Sequence, residues 1–327
     1  MTVAPAISDR EINLKDAALV TFGGSESVTI GAGEEVFSDE ISFRVKPLGS
    51  VSVSIYLKDF TLMRSAVVIT GPLSKGFYSV GNQTLSSVLP LEQTRTTQTY
   101  YFFTGLDILT DDNNRAVILY GDSITAQSWA DYLALKCMDD PYNQTSIVRR
   151  AASGTRILRE YSCLTYESYG LCGKNRFERE ISTVSGADTV IIQQGINDII
   201  HPVGTDINPF RPMSDLPTVE ELEEGFNYYI QTAEKHNLKV FAGTLLPIFG
   251  WRTYAPFRED MKNAFNDWLR KKCGADGCID FDKALRSNKN RAAFADKFDS
   301  GDHLHPSEEA YKVMAQLAFE NITKLSF

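Results

Sequence analysis

Residues 116–127 read AVILYGDSITAQ, and this stretch decides the class of fold. Its first part, 116–120, is apolar without interruption, which is typical of a short strand covered on both faces. A polar loop from Gly121 to Thr125 follows at once, and a helical pattern begins at about Gln127. A strand, a loop and a helix in immediate succession predict an α/β unit.

The same alternation continues through the rest of the chain. Apolar side chains recur at helical spacing within 222–233, 257–269 and 310–318, and a capping box of Thr218 with Glu221 precedes the first of these segments. Strands alternating with helices predict a parallel sheet with helices on both sides, whose functional residues gather at the carboxyl ends of the strands. The further predicted strands are residues 146–148, 189–193, 240–244 and 279–281.

The N-terminal third has a different pattern, in which apolar and polar residues alternate with period two. Residues 41–45 and 51–55 alternate in this way, which is typical of half-buried strands. Glycines between such runs indicate turns. We therefore expect a smaller β-sandwich or jelly-roll-like accessory domain at 1–112 and an α/β domain at 113–327, joined at the polar segment 111–114.

The composition excludes several classes of protein. The 327 residues include 33 Lys or Arg and 42 Asp or Glu, so the net charge is −9 and we expect no nucleic-acid partner. No run approaches the roughly 18 apolar residues of a membrane helix, so we expect no membrane partner. Five cysteines are too few for a disulfide scaffold, and their pairing is left open. Residues 1–10 show no signal peptide, whereas sequons at Asn82, Asn143 and Asn321 favour a secreted over a cytoplasmic location.

Gly121-Asp122-Ser123 is the first candidate for chemistry. A serine here lies at the carboxyl end of a strand, and we expect its N–H to point from a helix N-terminus, where negative charge is favoured. That environment suits a nucleophile whose oxyanion must be stabilised. The alternative is a helix N-cap, for which Asp and Ser are ordinary residues.

The second candidate, Asp302-His303-Leu304-His305-Pro306, holds two of the four histidines. An Asp and a His three residues apart can meet across one turn, where the carboxylate holds the imidazole as a base. His303 competes with His305 for that role. A His-x-His pair beside an aspartate also offers three metal ligands, and Pro306 suits a polar helix start. Because no fourth ligand is evident, we expect no metal.

Two further blocks follow predicted strands. Gly195-Ile196-Asn197-Asp198 offers the side-chain amide of Asn197, although Gly and Asn are also ordinary turn residues. Ala152-Ser153-Gly154-Thr155 can present the bare backbone N–H of Gly154. All four blocks can project to one edge of the sheet. A serine nucleophile, an Asp/His pair and three oxyanion donors together make an acyl-transfer site.

This ordered set resembles the SGNH, or GDSL, hydrolase superfamily over residues 115–322. The Gly-Asp-Ser motif of the superfamily matches residues 121–123, its Gly-x-Asn-Asp motif matches 195–198, and its Asp-x-x-His motif matches 302–305. The resemblance implies a flavodoxin-like parallel sheet of about five strands and a hydrolase catalytic domain at 113–327. The residues that give the superfamily its name match Ser123, Gly154, Asn197 and His305.

What the resemblance implies is a serine esterase that needs no metal or organic cofactor. Ser123 is then the nucleophile, His305 the base, and Asp302 the group that orients His305. Asp122 and Asp198 are expected to hold their loops by hydrogen bonds. The implied oxyanion hole consists of the N–H of Ser123, the N–H of Gly154 and the side-chain amide of Asn197.

Stretches of the first domain, at 20–24, 38–39 and 51–57, look like the β-domain of a two-domain esterase branch that is similar to xylan-associated acetyl esterases. Residues 176–177, 243–247 and 302–306 also look like this branch. This implies a small acyl ester or an acetylated polysaccharide as substrate. Aryl and short-chain lipid esters are alternatives, and a carbohydrate-binding protein with a silent hydrolase domain is the alternative of another class. Four aromatic residues near the motif loops either stack on sugars or belong to the core: Trp129, Tyr161, Phe249 and Trp251.

The chain departs from the patterns of these relatives in two places. The second block of the superfamily often reads Asn-x-Gly-x-Ser-Gly-Asn, whereas residues 149–155 read RRAASGT, so substrate contacts beside Gly154 are expected to differ. Members of the branch also begin tens of residues earlier, which predicts an exposed sheet edge here. Either the product is trimmed, or the domain is rearranged, or another subunit covers the edge in a homo-oligomer formed through the β-domain.

Overall fold

The N-terminal part of the chain forms short strands in a computed structural model, which describes residues 1–46, 48–62, 66–140, 144–163, 166 and 169–324. The chain divides into two units, Met1–Arg64 with Lys75–Tyr100 and Ser65–Ser74 with Tyr101–Phe327. The limits of the two domains given above stay a prediction. The first eight strands are β1 (Thr2–Ser8), β2 (Glu11–Ile12), β3 (Ala18–Leu19), β4 (Val51–Ser54), β5 (Val67–Val68), β6 (Gly76–Ser79), β7 (Thr94–Thr97) and β8 (Thr99–Tyr100).

Strand β1 is the centre of the largest sheet in the first unit. It pairs antiparallel with β2, β3 and β4, and Val3 lies opposite both Val53 and Ala18. Val3 and Ala4 are buried. Strands β6 and β7 also pair antiparallel. This pairing fits the smaller β domain expected from the period-two pattern.

The expected strand at 41–45 is absent, so that prediction is wrong. Half-buried and exposed residues alternate there as the sequence indicates, but the N–H of Phe43 turns back to the carbonyl of Ile41 at 2.8 Å. A strand needs a neighbouring strand for its backbone groups, and no described strand pairs with these residues. The expected strand at 51–55 is confirmed as β4.

A five-stranded parallel sheet is the centre of the second unit, as the sequence predicts. Its order is β10-β9-β11-β12-β13. Val190, Ile191 and Ile192 on the middle strand are all 0% exposed, because both faces of the sheet are covered. The strands are β9 (Arg115–Gly121), β10 (Thr145–Ala151), β11 (Ala187–Gln193), β12 (Lys239–Gly243) and β13 (Gly277–Ile279).

Seven helices of the described residues cover this sheet. The capping box of Thr218 and Glu221 is confirmed. The last predicted strand ends earlier than expected, because the Asp280 side chain accepts the N–H of Lys283 and caps a helix that begins at Phe281. No helix among the described residues is long and apolar enough to cross a membrane. The helices are α1 (Trp129–Asp139), α2 (Gly173–Ser182), α3 (Ile196–Ile200), α4 (Val219–Lys235), α5 (Pro256–Lys271), α6 (Phe281–Leu285) and α7 (Glu308–Thr323).

Candidate active site

Ser123 lies in a tight loop directly after β9. Gly121, the last residue of β9, has no room for a side chain, since a Cβ there would lie 2.4 Å from the carbonyl oxygen of Gln193. The Asp122 carboxylate accepts the N–H of Ile124 at 3.0 Å. Burial raises the pKa of Asp122 to about 7, although that hydrogen bond opposes the shift. Glycine therefore lets the ends of β9 and β11 approach, and Asp122 holds the loop as expected.

The helix after Ser123 begins later than the sequence predicts. Helix α1 starts at Trp129, and residues 122–128 form turns in which the N–H of Ala126 donates to the carbonyl of Asp122 at 2.9 Å. The expectation that Ser123 lies at a helix N-terminus is therefore wrong. Its N–H is still available to a ligand, because it donates to no group of the described residues.

Ser123, His305 and Asp302 are joined by a chain of hydrogen bonds. The Oγ of Ser123 lies 2.9 Å from Nε2 of His305, and Nδ1 of His305 lies 2.6 Å from Oδ2 of Asp302. The two ring nitrogens of His305 thus face a hydroxyl on one side and a carboxylate on the other. This geometry allows the imidazole to take a proton from Ser123 while the carboxylate stabilises the resulting positive charge.

The Asp302 carboxylate is held by donors from its own turn. Its Oδ1 accepts the N–H of His305 at 2.8 Å, the N–H of Leu304 at 2.9 Å and the hydroxyl of Ser300 at 3.2 Å. Partial burial opposes ionisation, but the bonds from the side chain and N–H of His305 and from Leu304 lower the pKa of Asp302 to about 2. The group is therefore an anion at any pH near neutrality, and the short Asp-x-x-His turn fixes its orientation.

Gly154 follows β10 and has φ +78°, a left-handed conformation that favours glycine. A Cβ at this position would lie 2.7 Å from the ring of Tyr169. The hydroxyl of Tyr161 donates to the Gly154 carbonyl at 3.1 Å. The N–H of Gly154 donates to no group of the part of the chain that is described. Two tyrosines therefore fix this peptide while its N–H stays available.

Asn197 lies on α3 and is 2% exposed. One N–H of its side-chain amide donates to the Thr155 carbonyl at 3.0 Å, next to Gly154, and the other is left for a ligand. Asp198 accepts the N–H groups of Ile157 and Leu158 at 2.7 and 3.1 Å, so it holds the loop after Gly154 as expected. Burial raises the pKa of Asp198 to about 6, although these bonds oppose the shift.

His303 does not join this chain of hydrogen bonds. Its Nδ1 lies 2.5 Å from Oδ2 of Asp299, and its backbone has φ +65°. With this left-handed backbone, the side chain of His303 pairs with Asp299. His305 pairs with Asp302 and is the histidine that contacts Ser123. Among the described residues, no group of three or more His, Cys, Asp or Glu side chains could hold a metal ion.

A buried arginine supports the serine loop, a role that its sequence position alone does not predict. The guanidinium of Arg176 on α2 donates to the carbonyls of Gly121 at 2.8 Å and Arg150 at 3.3 Å and lies 4.3 Å from the ring centre of Tyr120. It therefore ties the ends of β9 and β10 together. The available signal was its place beside Phe177 on the buried face of the helix, where an arginine requires partners.

Of the four aromatic residues near the motif loops, some belong to the core and others are accessible to a sugar. Trp129 is 0% exposed and packs in the core against Phe281. Phe249 is 47% exposed, and Trp251 is half-buried beneath the guanidinium of Arg252. Tyr161 is half-buried and holds Gly154. Trp129 is thus excluded as a platform for sugars, and Phe249 remains accessible.

Several solved structures are similar to part of this chain at low sequence identity. A GDSL-like lipase from Bacteroides thetaiotaomicron is 18% identical, with 64% of this chain and 89% of that chain covered and a TM-score of 0.48. A lipase/acylhydrolase from Enterococcus faecalis is 20% identical, with 64% and 96% covered and a TM-score of 0.48. An acetyl xylan esterase from Geobacillus stearothermophilus is 17% identical, with 64% and 94% covered and the same TM-score of 0.48.

A search of curated proteins by sequence finds no match. The sequence profile of the GDSL-like lipase/acylhydrolase family matches residues 119–313, which is more than half of the chain. This segment contains all four motif blocks. The chain therefore belongs to the GDSL-like lipase/acylhydrolase family and is a carboxylic ester hydrolase.

Proposed function

We propose that the protein hydrolyses short acyl esters through an acyl-enzyme on Ser123. The Oγ of Ser123 attacks the ester carbonyl while His305 takes its proton. His305 then returns this proton to the leaving alcohol as the carbon–oxygen bond of the ester breaks. Water attacks the acyl-enzyme by the same route, releasing the acid and restoring Ser123. The observation that carries the proposal is the hydrogen-bond chain of 2.9 and 2.6 Å from Ser123 through His305 to Asp302.

The proposed oxyanion hole consists of Ser123 N–H, Gly154 N–H and the Asn197 amide. Its support is that both backbone donors lack an acceptor among the described residues and that Asn197 keeps one N–H unused. The bond from Asn197 to Thr155 keeps the amide beside the Gly154 loop. Donors fixed in this way stabilise the negative charge that develops on the carbonyl oxygen.

Acetyl esters on carbohydrate are the substrates we propose. The resemblance of the N-terminal stretches to xylan-associated acetyl esterases supports this choice. Exposed Phe249, which packs edge-on against Tyr254 at 5.1 Å, offers an accessible aromatic face on the loop after β12. Sugar rings stack on such faces through their apolar C–H groups.

Acetate release from 4-nitrophenyl acetate and from acetylated xylan tests both parts of this proposal. Wild type and Ser123→Ala are compared, with Ser182→Ala as the matched control, since Ser182 lies at the end of α2 and its hydroxyl donates to the Arg179 carbonyl. Activity on both substrates that is lost only in Ser123→Ala is the expected result. Activity on 4-nitrophenyl acetate alone keeps the mechanism and contradicts the polysaccharide assignment. Folded wild type that hydrolyses neither ester contradicts the mechanism and favours a silent hydrolase domain that binds carbohydrate.

A further inference from the structure

Arg211 is a buried cation that packs against aromatic rings. The residue is 8% exposed, and its Nε is buried with no hydrogen-bond partner. No hydrogen bond or ion pair of its guanidinium is found among residues 1–46, 48–62, 66–140, 144–163, 166 and 169–324. Two other buried arginines near Tyr161 and His201 do have hydrogen-bond or ion-pair partners. Arg156 pairs with Asp215 at 2.9 Å, and Arg258 donates to the carbonyls of Ile199 and Pro202.

The backbone of Arg211 is held by three hydrogen bonds, and its side chain packs against a tyrosine ring. Its N–H donates to the carbonyl of Asn208 at 3.0 Å, and its carbonyl accepts the N–H groups of Val203 and Gly204 at 2.9 and 3.0 Å. Its guanidinium lies 4.4 Å from the ring centre of Tyr166. Burying a charge without a hydrogen-bond or ionic partner is costly, and among the described residues the guanidinium meets only aromatic rings, so an anion that binds here would be strongly stabilised.

Positive charge is in surplus at this place. Burial and the charges of Arg211 and Arg156, with those of Arg252 and Arg258, hold the pKa of His201 well below its usual range. Of these four arginines, only Arg156 has a carboxylate partner among the described residues. A negative group entering the site would therefore meet several cations, with Asp198 and the Asp215 partner of Arg156 as the nearby described carboxyl groups.

A single tyrosine connects this positive site to the proposed oxyanion hole. The guanidinium of Arg211 lies 5.8 Å from the ring centre of Tyr161, and the hydroxyl of that tyrosine donates to the Gly154 carbonyl at 3.1 Å. The hydroxyl also bonds His201, which follows α3 and its Asn197. Tyr161 thus lies between the guanidinium of Arg211 and the peptide of Gly154.

We propose that Arg211 binds a carboxylate of the substrate, so that the site prefers esters with a negative charge near the scissile bond. This inference rests on the proposed esterase function. The carboxylate belongs either to the alcohol, as in the ester of a uronic acid, or to the acyl group, as in the half-ester of a dicarboxylic acid. Both offer the planar pair of oxygens that a guanidinium binds through two parallel hydrogen bonds.

Matched pairs of esters test the proposal and separate the two sources. For the alcohol side, kcat/KM is measured for 4-acetoxybenzoate and its methyl ester. For the acyl side, it is measured for phenyl hydrogen succinate and phenyl pentanoate. We expect wild type to prefer the charged member of at least one pair by about tenfold or more, and Arg211→Gln to lose that preference. Arg179→Gln is the matched control, because Arg179 is an exposed arginine on α2. This substitution should leave kcat/KM unchanged for all four esters.

The outcomes distinguish this inference from the esterase proposal. Wild type that hydrolyses neutral esters but shows no preference for either charged ester overturns the role of Arg211 and leaves the esterase intact. Arg211→Lys, which keeps the charge, should retain part of the preference, and it replaces Arg211→Gln if the latter does not fold. Calorimetric titration of 4-acetoxybenzoate into Ser123→Ala gives a readout without turnover. The proposal is supported if 4-acetoxybenzoate binds more tightly than its methyl ester, or if phenyl hydrogen succinate binds more tightly than phenyl pentanoate. Equal affinities within both pairs overturn it.

Discussion

Replacing Asn197 by alanine removes one proposed oxyanion donor and leaves the proton-transfer chain in place. The amide has two N–H groups, of which one donates to Thr155 at 3.0 Å and the other is free for the substrate. Loss of one such donor typically costs about 10²–10³ in kcat. Because the donor acts on charge that develops only in the transition state, we expect kcat to fall by that factor and KM to change much less.

The same substitution has a structural cost that must be separated from this effect. It leaves the Thr155 carbonyl without its Asn197 partner, and a buried group left unpaired typically costs about 1–3 kcal/mol. Asn266→Ala is the matched control. Asn266 is 0% exposed, and its side chain bonds the N–H and the carbonyl of Leu245 at 2.7 and 2.8 Å. It should lose at least as much stability as Asn197→Ala, with kcat nearly unchanged.

The assay is steady-state hydrolysis of 4-nitrophenyl acetate, with urea unfolding measured on the same preparations. Asn197→Ala should show a large loss of kcat with a modest loss of stability. Asn266→Ala should lose at least as much stability and keep nearly all of its kcat. A kcat for Asn197→Ala within about tenfold of wild type would refute the oxyanion role, since a single lost donor costs more than that. An equal loss of kcat in Asn266→Ala would show that both effects come from a loosened fold.

Three further predictions concern the groups around Ser123. Asp302→Ala should lower kcat by about 10³–10⁴ while thermal unfolding changes little, because the side chain is 42% exposed; near-full activity would mean that another group orients His305. Asp122 has a folded pKa of about 7, above its ordinary value of 3.8, so the folded protein keeps a proton that the unfolded chain loses. Its contribution to stability therefore falls as pH rises from about 4 to about 7, and the melting temperature of Asp122→Asn should fall less than that of wild type over this range; parallel curves would contradict the raised pKa. Arg176→Met should destabilise the protein by about 1–3 kcal/mol in urea, since the carbonyls of Gly121 and Arg150 lose a charged donor and Gly121 keeps only the N–H of Ala152; unchanged stability would show that water replaces the guanidinium.

The parallel sheet could be predicted because its strands are buried on both faces. In a run such as Val190-Ile191-Ile192, apolar and polar residues do not alternate. They do not alternate because both faces of the strand are buried. The motif blocks could then be placed, since parallel strands bring their carboxyl ends to one edge. The spacing of Asp302 and His305 predicted their contact across one turn, and the structure brings them to 2.6 Å.

Features that depend on contacts between distant parts of the chain could not be predicted. Residues 41–45 alternate like a strand, but alternation does not supply a neighbouring strand. The predicted start of α1 is too early, because the turns at 122–128 have the same polar residues as a helix cap. Nothing local predicts the surroundings of Arg211, since they come from Tyr161, Tyr166 and other loops.

Covalent labelling by an organophosphate tests most directly whether Ser123 is a nucleophile activated by His305. Diethyl 4-nitrophenyl phosphate transfers its diethylphosphoryl group to an activated serine and releases 4-nitrophenol. Intact mass spectrometry and peptide mapping should find one such group per chain, on Ser123, with none on Ser123→Ala and much slower labelling of His305→Ala. An active enzyme that takes the label on another residue, or labels Ser123 equally fast without His305, would contradict the proposed mechanism.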